Sequence, residues 1–150
     1  MSAAKATLSS SVDQTEALAV ALAAGLQAGD VVHVCGEVGA GKTTFIRGAC
    51  RALGFNGPVT SPSYTIVNRY EGGPVAISHL DCQRLEQSAD IEAGLFDDEI
   101  ANDRICFIEW PQQSAASVGR LATVPAAVRV ELRHAGESQR EVLIERSGIQ

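Results

Sequence analysis

The sequence lacks a long hydrophobic run. Its longest apolar stretch, residues 17–26, has ten residues and is interrupted only by Gly25, whereas a helix that crosses a bilayer needs about 20. Asp13 and Glu16 stand before that stretch, where a secretory signal peptide would carry lysines. These two absences predict a cytoplasmic protein without a membrane span or a signal peptide.

Positive charge and metal-binding patterns are also scarce. The formal net charge is −6, and a protein whose main task is to grip nucleic-acid phosphates is usually basic on at least one face. No C-x-x-C pair occurs and the three histidines are scattered, so a zinc site is not expected. We expect all four cysteines to be reduced and structural: Cys35, Cys50, Cys82 and Cys106.

Acidic residues are concentrated in one segment. Seven lie between Glu86 and Asp103, where there is no lysine or arginine, and the rest of the chain is nearly neutral. The segment fits two interpretations, a solvated helical face or loop and a docking surface for a basic partner.

The length and the hydrophobic pattern predict one α/β domain of 150 residues. Asp13 is expected to cap a first helix, with Glu16 completing a capping box, and a second helix is predicted over 43–53. Strands are predicted at residues 6–8, 31–35, 64–70, 75–80, 105–108, 128–134 and 141–146. Short glycine-containing links join the third strand to the fourth and the sixth to the seventh, so two hairpins and a mixed sheet are expected.

One segment carries a phosphate-binding pattern. Residues 36–43 match G-x-x-x-x-G-K-[ST] and lie between a predicted strand and a predicted helix. Glycines allow successive N–H groups to point at phosphate oxygens, and the helix N-terminus adds the positive end of its dipole. Lys42 would reach the β- and γ-phosphates, and the Thr43 hydroxyl would bind Mg²⁺. The predicted nucleotide-binding residues are Gly36, Glu37, Val38, Gly39, Ala40, Gly41, Lys42, Thr43 and Thr44.

A triphosphate site also needs a second carboxylate for Mg²⁺, usually at the end of a neighbouring buried strand. Glu109 follows four apolar residues, and Asp81 follows the strand predicted at 75–80. Both acids would lie at the edge of the sheet where ligands collect. The spacing favours Glu109 as the metal ligand and leaves Asp81 as the alternative. The remaining acid would orient or deprotonate the attacking water.

The base of the bound nucleotide is expected to be adenine. An N-K-x-D element is absent, and Asp81 does not begin a D-x-x-G, so the patterns of guanine-specific domains are missing. Residues 61–65 carry four hydroxyls, which fits either a loop that senses the γ-phosphate or an ordinary connection. His79 is expected to be partly buried with its hydrogen bonds satisfied, and Trp110 to pack beside the nucleotide site.

Together these segments resemble the TsaE family, bacterial ATPases that take part in making threonylcarbamoyladenosine in tRNA. The resemblance spans about residues 13–146 and rests on residues 36–44, Thr-Ser-Pro-Ser-Tyr at 60–64, Tyr70, His79-Leu80-Asp81 with Arg84-Leu85, and Glu109-Trp110. The chain departs from the commoner family residues at Glu37, Ser63 and Gln83.

The resemblance implies a P-loop NTPase-like, three-layer α/β/α fold with a mixed, partly antiparallel sheet. It further implies that Thr43 and Glu109 hold Mg²⁺ and that Lys42 and Asp81 support hydrolysis of ATP. Thr15 and Arg140 match positions near the nucleotide, and residues 60–70 match a switch-like segment. The implied partners are TsaD and TsaB, with tRNA reached through their complex.

Two other functions are compatible with the phosphate loop. A small-molecule kinase shares it but needs an arginine-bearing lid, and residues 111–127, where a lid commonly lies, offer only Arg120. A non-hydrolysing adaptor would use bound ATP to order a docking surface. Our main hypothesis is a partner-dependent ATPase, slow on its own because no arginine is obviously placed as a finger.

Overall fold

A computed structural model describes residues 3–37, 39–59, 67–81, 99–100, 103–110 and 126–146. Within these ranges the chain forms seven strands: β1 (Ala3–Ser9), β2 (Val31–Gly36), β3 (Val67–Tyr70), β4 (Ala76–Asp81), β5 (Arg104–Trp110), β6 (Val128–His134) and β7 (Arg140–Arg146). Two helices accompany them, α1 (Val12–Ala23) and α2 (Lys42–Ala52). Neither described helix is long and apolar enough to cross a membrane.

The strands form one mixed sheet in the order β1-β7-β6-β2-β5-β4-β3. The four central strands, β6, β2, β5 and β4, are parallel, whereas β7 and β3 pair antiparallel with β6 and β4. Both predicted hairpins are therefore confirmed, although residues 64–66 of the third predicted strand lie outside the described ranges. The P-loop NTPase-like α/β fold with a mixed sheet is confirmed. Parallel central strands bring their carboxyl ends to one edge, which is where the candidate site lies.

Strands β2, β4 and β5 are buried on both faces along most of their length, whereas β6 exposes Arg129 and Arg133. Val32 and Val34 of β2 belong to the main core together with Phe45 of α2. Val31 and Cys35 point to the opposite face, because successive side chains of a strand alternate, and they are buried as well. Parallel strands with both faces covered are the arrangement that a three-layer fold requires.

Helix α1 begins two residues earlier than the sequence pattern predicted. Ser11 is the N-cap, with an extended backbone, and its hydroxyl accepts a hydrogen bond from the Gln14 N–H. The Gln14 side chain in turn accepts from the Ser10 N–H at 2.6 Å. The prediction that Asp13 caps the helix is wrong. Asp13 lies inside the first turn, where its negative charge faces the positive end of the helix dipole.

The two helices pack closely at Gly48. A Cβ atom at this position would lie 2.8 Å from the carbonyl oxygen of Glu16 and 2.9 Å from its Cα atom, so only glycine permits this approach. Beside the contact, Arg47 Nε donates to Glu16 Oε2 at 3.0 Å. The start of α1 is thereby held against the first turns of α2.

Glu99, part of the acid-rich segment, belongs neither to a solvated face nor to an exposed docking surface. Its side chain is buried, and it accepts hydrogen bonds from Arg69 and from the Ser78 hydroxyl. Burial alone would raise the pKa of Glu99, but these hydrogen bonds and the positive charges of Arg69 and Arg104 outweigh it, so the pKa is lowered. Residues 86–98 of the segment lie outside the described ranges.

Candidate functional site

The phosphate-loop sequence forms a tight backbone curl between β2 and α2. Gly39 and Gly41 have φ angles of 81° and 102°, a region that residues with a side chain rarely adopt. The Ala40 N–H donates to the Glu37 carbonyl at 3.1 Å, and the Phe45 N–H donates to the Gly41 carbonyl at 2.9 Å. The curl therefore depends on glycine at both positions.

Gly36 lets this curl lie directly against strand β6. A Cβ atom there would lie 2.7 Å from the Leu132 carbonyl oxygen and 3.4 Å from the Ala40 Cβ atom. Ala40 itself is fully buried. A side chain at position 36 would push the loop away from the sheet, so this glycine sets the position of the loop as well as its shape.

The first turn of α2 has the features of an anion-binding helix N-terminus. Gly41 is its N-cap and, being glycine, provides no side chain to accept from the first N–H groups. Such N–H groups, together with the positive end of the helix dipole, make a binding site for phosphate. Lys42 adds an ammonium group: its side chain is buried, and Nζ donates to the Gly36 carbonyl oxygen at 2.5 Å across the curl.

A hydroxyl and a carboxylate converge next to the loop. Thr43 Oγ1 of α2 lies 3.5 Å from Glu109 Oε2 of β5, and Glu109 is only 4% exposed. Oxygen ligands of this kind are those that Mg²⁺ prefers. A cation shared by the two groups would also offset the cost of burying the carboxylate. The pair therefore has the donor chemistry to hold a magnesium ion.

Asp81 lies beside Glu109 but further from the loop. The two residues are direct partners in the parallel register of β4 and β5, so their side chains point to the same face. Strand β5 stands between β4 and the loop-bearing strand β2. Glu109 contacts Thr43, and Asp81 is half-buried one strand further along.

A buried chain of polar side chains continues from Glu109. His79 of β4 is fully buried; its Nε2 atom contacts Glu109 Oε2, and its Nδ1 atom lies 2.9 Å from the Tyr70 hydroxyl. His79 was expected to be a satisfied histidine, but not to contact a site residue. A signal was present, since His79 and Asp81 are two residues apart on a strand and therefore share a face.

Arg140 contacts the loop directly, whereas the described side-chain contact of Thr15 is with Ser9 of β1. Arg140 Nη2 donates to the Gly39 carbonyl oxygen at 3.2 Å. The Thr15 hydroxyl is buried and lies 2.7 Å from the Ser9 hydroxyl, and Ser9 is the register partner of Arg140. The structure thus brings Arg140 to the loop directly and connects Thr15 to it through two intermediate residues.

The sequence analysis missed Arg47. Its Nη2 atom donates to the Thr44 hydroxyl at 3.2 Å while its Nε atom pairs with Glu16. The spacing of three residues between Thr44 and Arg47, which places both on one helix face, could have indicated the first contact. The second depends on how α1 packs against α2.

Several predictions fall on parts of the chain outside the described structure. These are the predictions for Val38, the hydroxyl-rich segment 61–65, Cys82, Arg84, Arg120 and the Trp110 side chain. The other predicted site residues are all placed, and the loop, Lys42, Thr43, Glu109 and Asp81 lie at one edge of the sheet.

A mixed seven-stranded sheet whose central strand β2 leads into a glycine curl and a helix defines a P-loop NTPase-like α/β protein. The sequence profile of "Threonylcarbamoyl adenosine biosynthesis protein TsaE" matches residues 9–142 of the chain. The chain belongs to the TsaE family, as the sequence motifs implied.

Similar proteins cover most of the chain. The tRNA threonylcarbamoyladenosine biosynthesis protein TsaE of Bacillus subtilis is 31% identical over 130 residues, which are 87% of this chain and 78% of the relative. The Aquifex aeolicus protein of the same name is 30% identical over 145 residues, or 95% and 96% of the two chains. The crystal structure of Bacillus subtilis YdiB aligns with a TM-score of 0.76 at 25% identity and covers 99% of this chain and 88% of that one.

Proposed function

We propose that the protein is a Mg²⁺-dependent ATPase that acts with TsaD and TsaB in making threonylcarbamoyladenosine in tRNA. Membership of the TsaE family, with relatives named for tRNA threonylcarbamoyladenosine biosynthesis, supports the pathway. The observation that carries the ATPase is the convergence of the glycine curl, the buried Lys42 and the Thr43–Glu109 pair at one edge of the sheet. tRNA would be reached through the partner complex.

The loop and the start of α2 bind the phosphates in this proposal. Backbone N–H groups of residues 36–44 surround the β- and γ-phosphates, and the Lys42 ammonium exchanges the Gly36 carbonyl for phosphate oxygens. That exchange replaces a neutral acceptor with a charged one, so the hydrogen bond becomes stronger. Arg140 supports the arrangement by holding the Gly39 carbonyl oxygen away from the phosphates, and Thr15 supports it more remotely through Ser9.

The two acids, Glu109 and Asp81, have different roles in this proposal. Thr43 and Glu109 would hold Mg²⁺, which when bound neutralises charge on the phosphate oxygens. Asp81, half-buried on the next strand and facing the same way as Glu109, would orient the attacking water and accept its proton.

Slow turnover without partners follows from where the described arginines contact the loop. Arg140 contacts the Gly39 carbonyl oxygen in the middle of the loop, Arg47 contacts the Thr44 hydroxyl just after it, and each arginine is engaged in that contact. An arginine that stabilises the charge of the transferring phosphate is worth orders of magnitude in rate in other P-loop enzymes. A partner could supply this charge or tighten the site, which is why we expect TsaD and TsaB to accelerate hydrolysis.

The test is release of phosphate from ATP by the purified protein, with Mg²⁺ or EDTA and with or without TsaD–TsaB and tRNA. We expect Mg²⁺-dependent ATP binding, slow release by the protein alone and faster release with TsaD–TsaB. Tight binding without release, even with both partners, would instead indicate a non-hydrolysing adaptor. Transfer to a nucleoside, sugar or acid faster than to water would indicate a kinase.

A further inference from the structure

The polar chain that runs from Tyr70 through His79 to Glu109 crosses three neighbouring strands and ends at Thr43. Tyr70 lies on β3, His79 on β4 and Glu109 on β5, and all three side chains are buried. In both strand pairs the contact runs diagonally, since Tyr70 is paired with Ile77 and His79 with Phe107. The three side chains are far apart in sequence, and it is the pairing of β3, β4 and β5 that brings them together.

The contact with Glu109 fixes which nitrogen of the His79 ring carries a hydrogen. A carboxylate can only accept, so His79 Nε2 carries the hydrogen in that contact. The other ring nitrogen, Nδ1, forms a hydrogen bond with the Tyr70 hydroxyl. The Tyr70 ring is fixed in turn by Phe55, whose ring centre lies 4.9 Å away.

Both described contacts of the Glu109 carboxylate, from His79 and from Thr43, fall on Oε2. They hold the carboxylate in one orientation beside Thr43 and leave Oε1 without a described contact, so the group would be able to hold a cation there together with the Thr43 hydroxyl. Residues that hold a metal ligand in this way often affect metal affinity by about 10–100-fold when they are removed.

We propose that His79 and Tyr70 are positioning residues that hold Glu109 for the Mg²⁺ of the bound nucleotide. The inference rests on the proposed function, and it predicts that they set the affinity for Mg²⁺ and not the affinity for the nucleotide itself. A polar chain that served only to stabilise the sheet would affect thermal stability and leave Mg²⁺ dependence unchanged.

The experiment measures binding of a fluorescent ATP analogue to the full chain at increasing Mg²⁺ concentrations and, separately, in EDTA. We expect Tyr70→Phe, which removes one hydroxyl and keeps the ring, to raise the half-saturating Mg²⁺ concentration by about 3–10-fold, near the low end of such effects. His79→Leu should raise it by about 10–100-fold. His79→Gln keeps a donor for Glu109 and should stay close to the wild type. Affinity in EDTA should be unchanged in all three variants.

Ser78→Ala is the matched control for lost stability. Ser78 is the neighbour of His79 on β4, is equally buried and points to the opposite face, where it contacts Glu99 and Arg104. Its loss should lower the melting temperature without changing the half-saturating Mg²⁺ concentration.

The outcomes separate the two proposals. A wild-type chain that does not bind nucleotide overturns the proposed ATPase and the positioning role with it. A wild-type chain that binds nucleotide tightly with Mg²⁺, next to a Tyr70→Phe variant with the same Mg²⁺ dependence, overturns the positioning role alone. If His79→Leu does not fold, Tyr70→Phe and His79→Gln still decide the question, because each keeps a ring or a donor in place.

Discussion

Acid should destabilise the protein through His33 on strand β2. This side chain is buried, and desolvation, reinforced by the charge of Arg129, lowers its pKa from 6.5 to about 4. Because the folded pKa lies below the unfolded one, the unfolded state binds the proton more tightly, and stability is lost as the pH falls from 6.5 towards 4. Above pH 6.5 both states are neutral at this group and the effect vanishes.

The size of this effect follows from the two pKa values. One pKa unit corresponds to about 1.4 kcal/mol, so full protonation of the unfolded chain favours unfolding by about 3 kcal/mol near pH 4. Between pH 7 and pH 5 the loss amounts to about 2 kcal/mol. This window lies above the range in which ordinary carboxylates titrate, and a variant that lacks only His33 separates its effect from that of the other two histidines.

The assay is urea unfolding followed by circular dichroism at pH 5, 6 and 7, on the wild type and on His33→Gln. Glutamine does not titrate, so the variant lacks the pH-dependent loss of stability that His33 causes in the wild type. Its free energy of unfolding should therefore fall less than that of the wild type, by about 2 kcal/mol, when the pH is lowered from 7 to 5. Parallel curves for the two proteins would refute the burial argument for His33.

Three further predictions concern the site and the thiols. Lys42→Ala should abolish useful ATP affinity in equilibrium binding, because the charge is lost where phosphate charge is densest; unchanged affinity would contradict the site. Asp81→Ala should keep Mg²⁺-ATP binding but slow phosphate release by about 100-fold or more, as loss of a general base does; an equal loss of binding would make Asp81 the metal ligand. Burial raises the pKa of the Cys50 and Cys106 thiols to about 12 and also raises that of Cys35, so a Cys82→Ser variant should react with a disulfide reagent at pH 8 only after urea is added. Rapid reaction of the folded variant would show that one of these thiols is accessible.

Hydrophobic patterning predicted the elements of the sheet well because the strands are short and amphipathic or fully apolar. The alternating residues of β6 gave its bounds as observed, Val128–His134. The two hairpins followed from the short glycine-containing links between strands. In each case the signal lies within a few neighbouring residues, and so does the physical cause.

The N-terminus of α1 shows where such local signals fail. Asp13 with Glu16 and Ser11 with Gln14 have the same spacing, and both start with a good capping residue. The structure selects Ser11, and the Ser9 hydroxyl, just before it, is hydrogen-bonded to Thr15 and to the Ser11 carbonyl. The choice is therefore coupled to where β1 ends, which the capping pattern does not contain. Glu99 was misjudged for a similar reason, since its partners Arg69 and Ser78 lie on β3 and β4.

The phosphate loop was predictable from sequence because its residues are contiguous. The order of the acids was not, since it depends on which strand lies next to β2. Placing β5 between β2 and β4 gives Glu109 the position beside Thr43 and gives Asp81 the next one. Chain order alone would place β3 and β4 closer to β2 than β5.

The same strand order divides the site into a part formed by neighbouring residues and a part formed by residues far apart in sequence. We expect that mutations can impair either part without impairing the other. The loop and α2 form from residues 36–52, and in the proposed function they bind the phosphates. Glu109, His79 and Tyr70 come from three strands, the outermost of which, β3, is the four-residue edge strand of the sheet and pairs with β4. Loss of Lys42 should therefore remove nucleotide binding altogether, whereas a change that loosens β3 should leave phosphate binding intact and weaken only the hold on Mg²⁺.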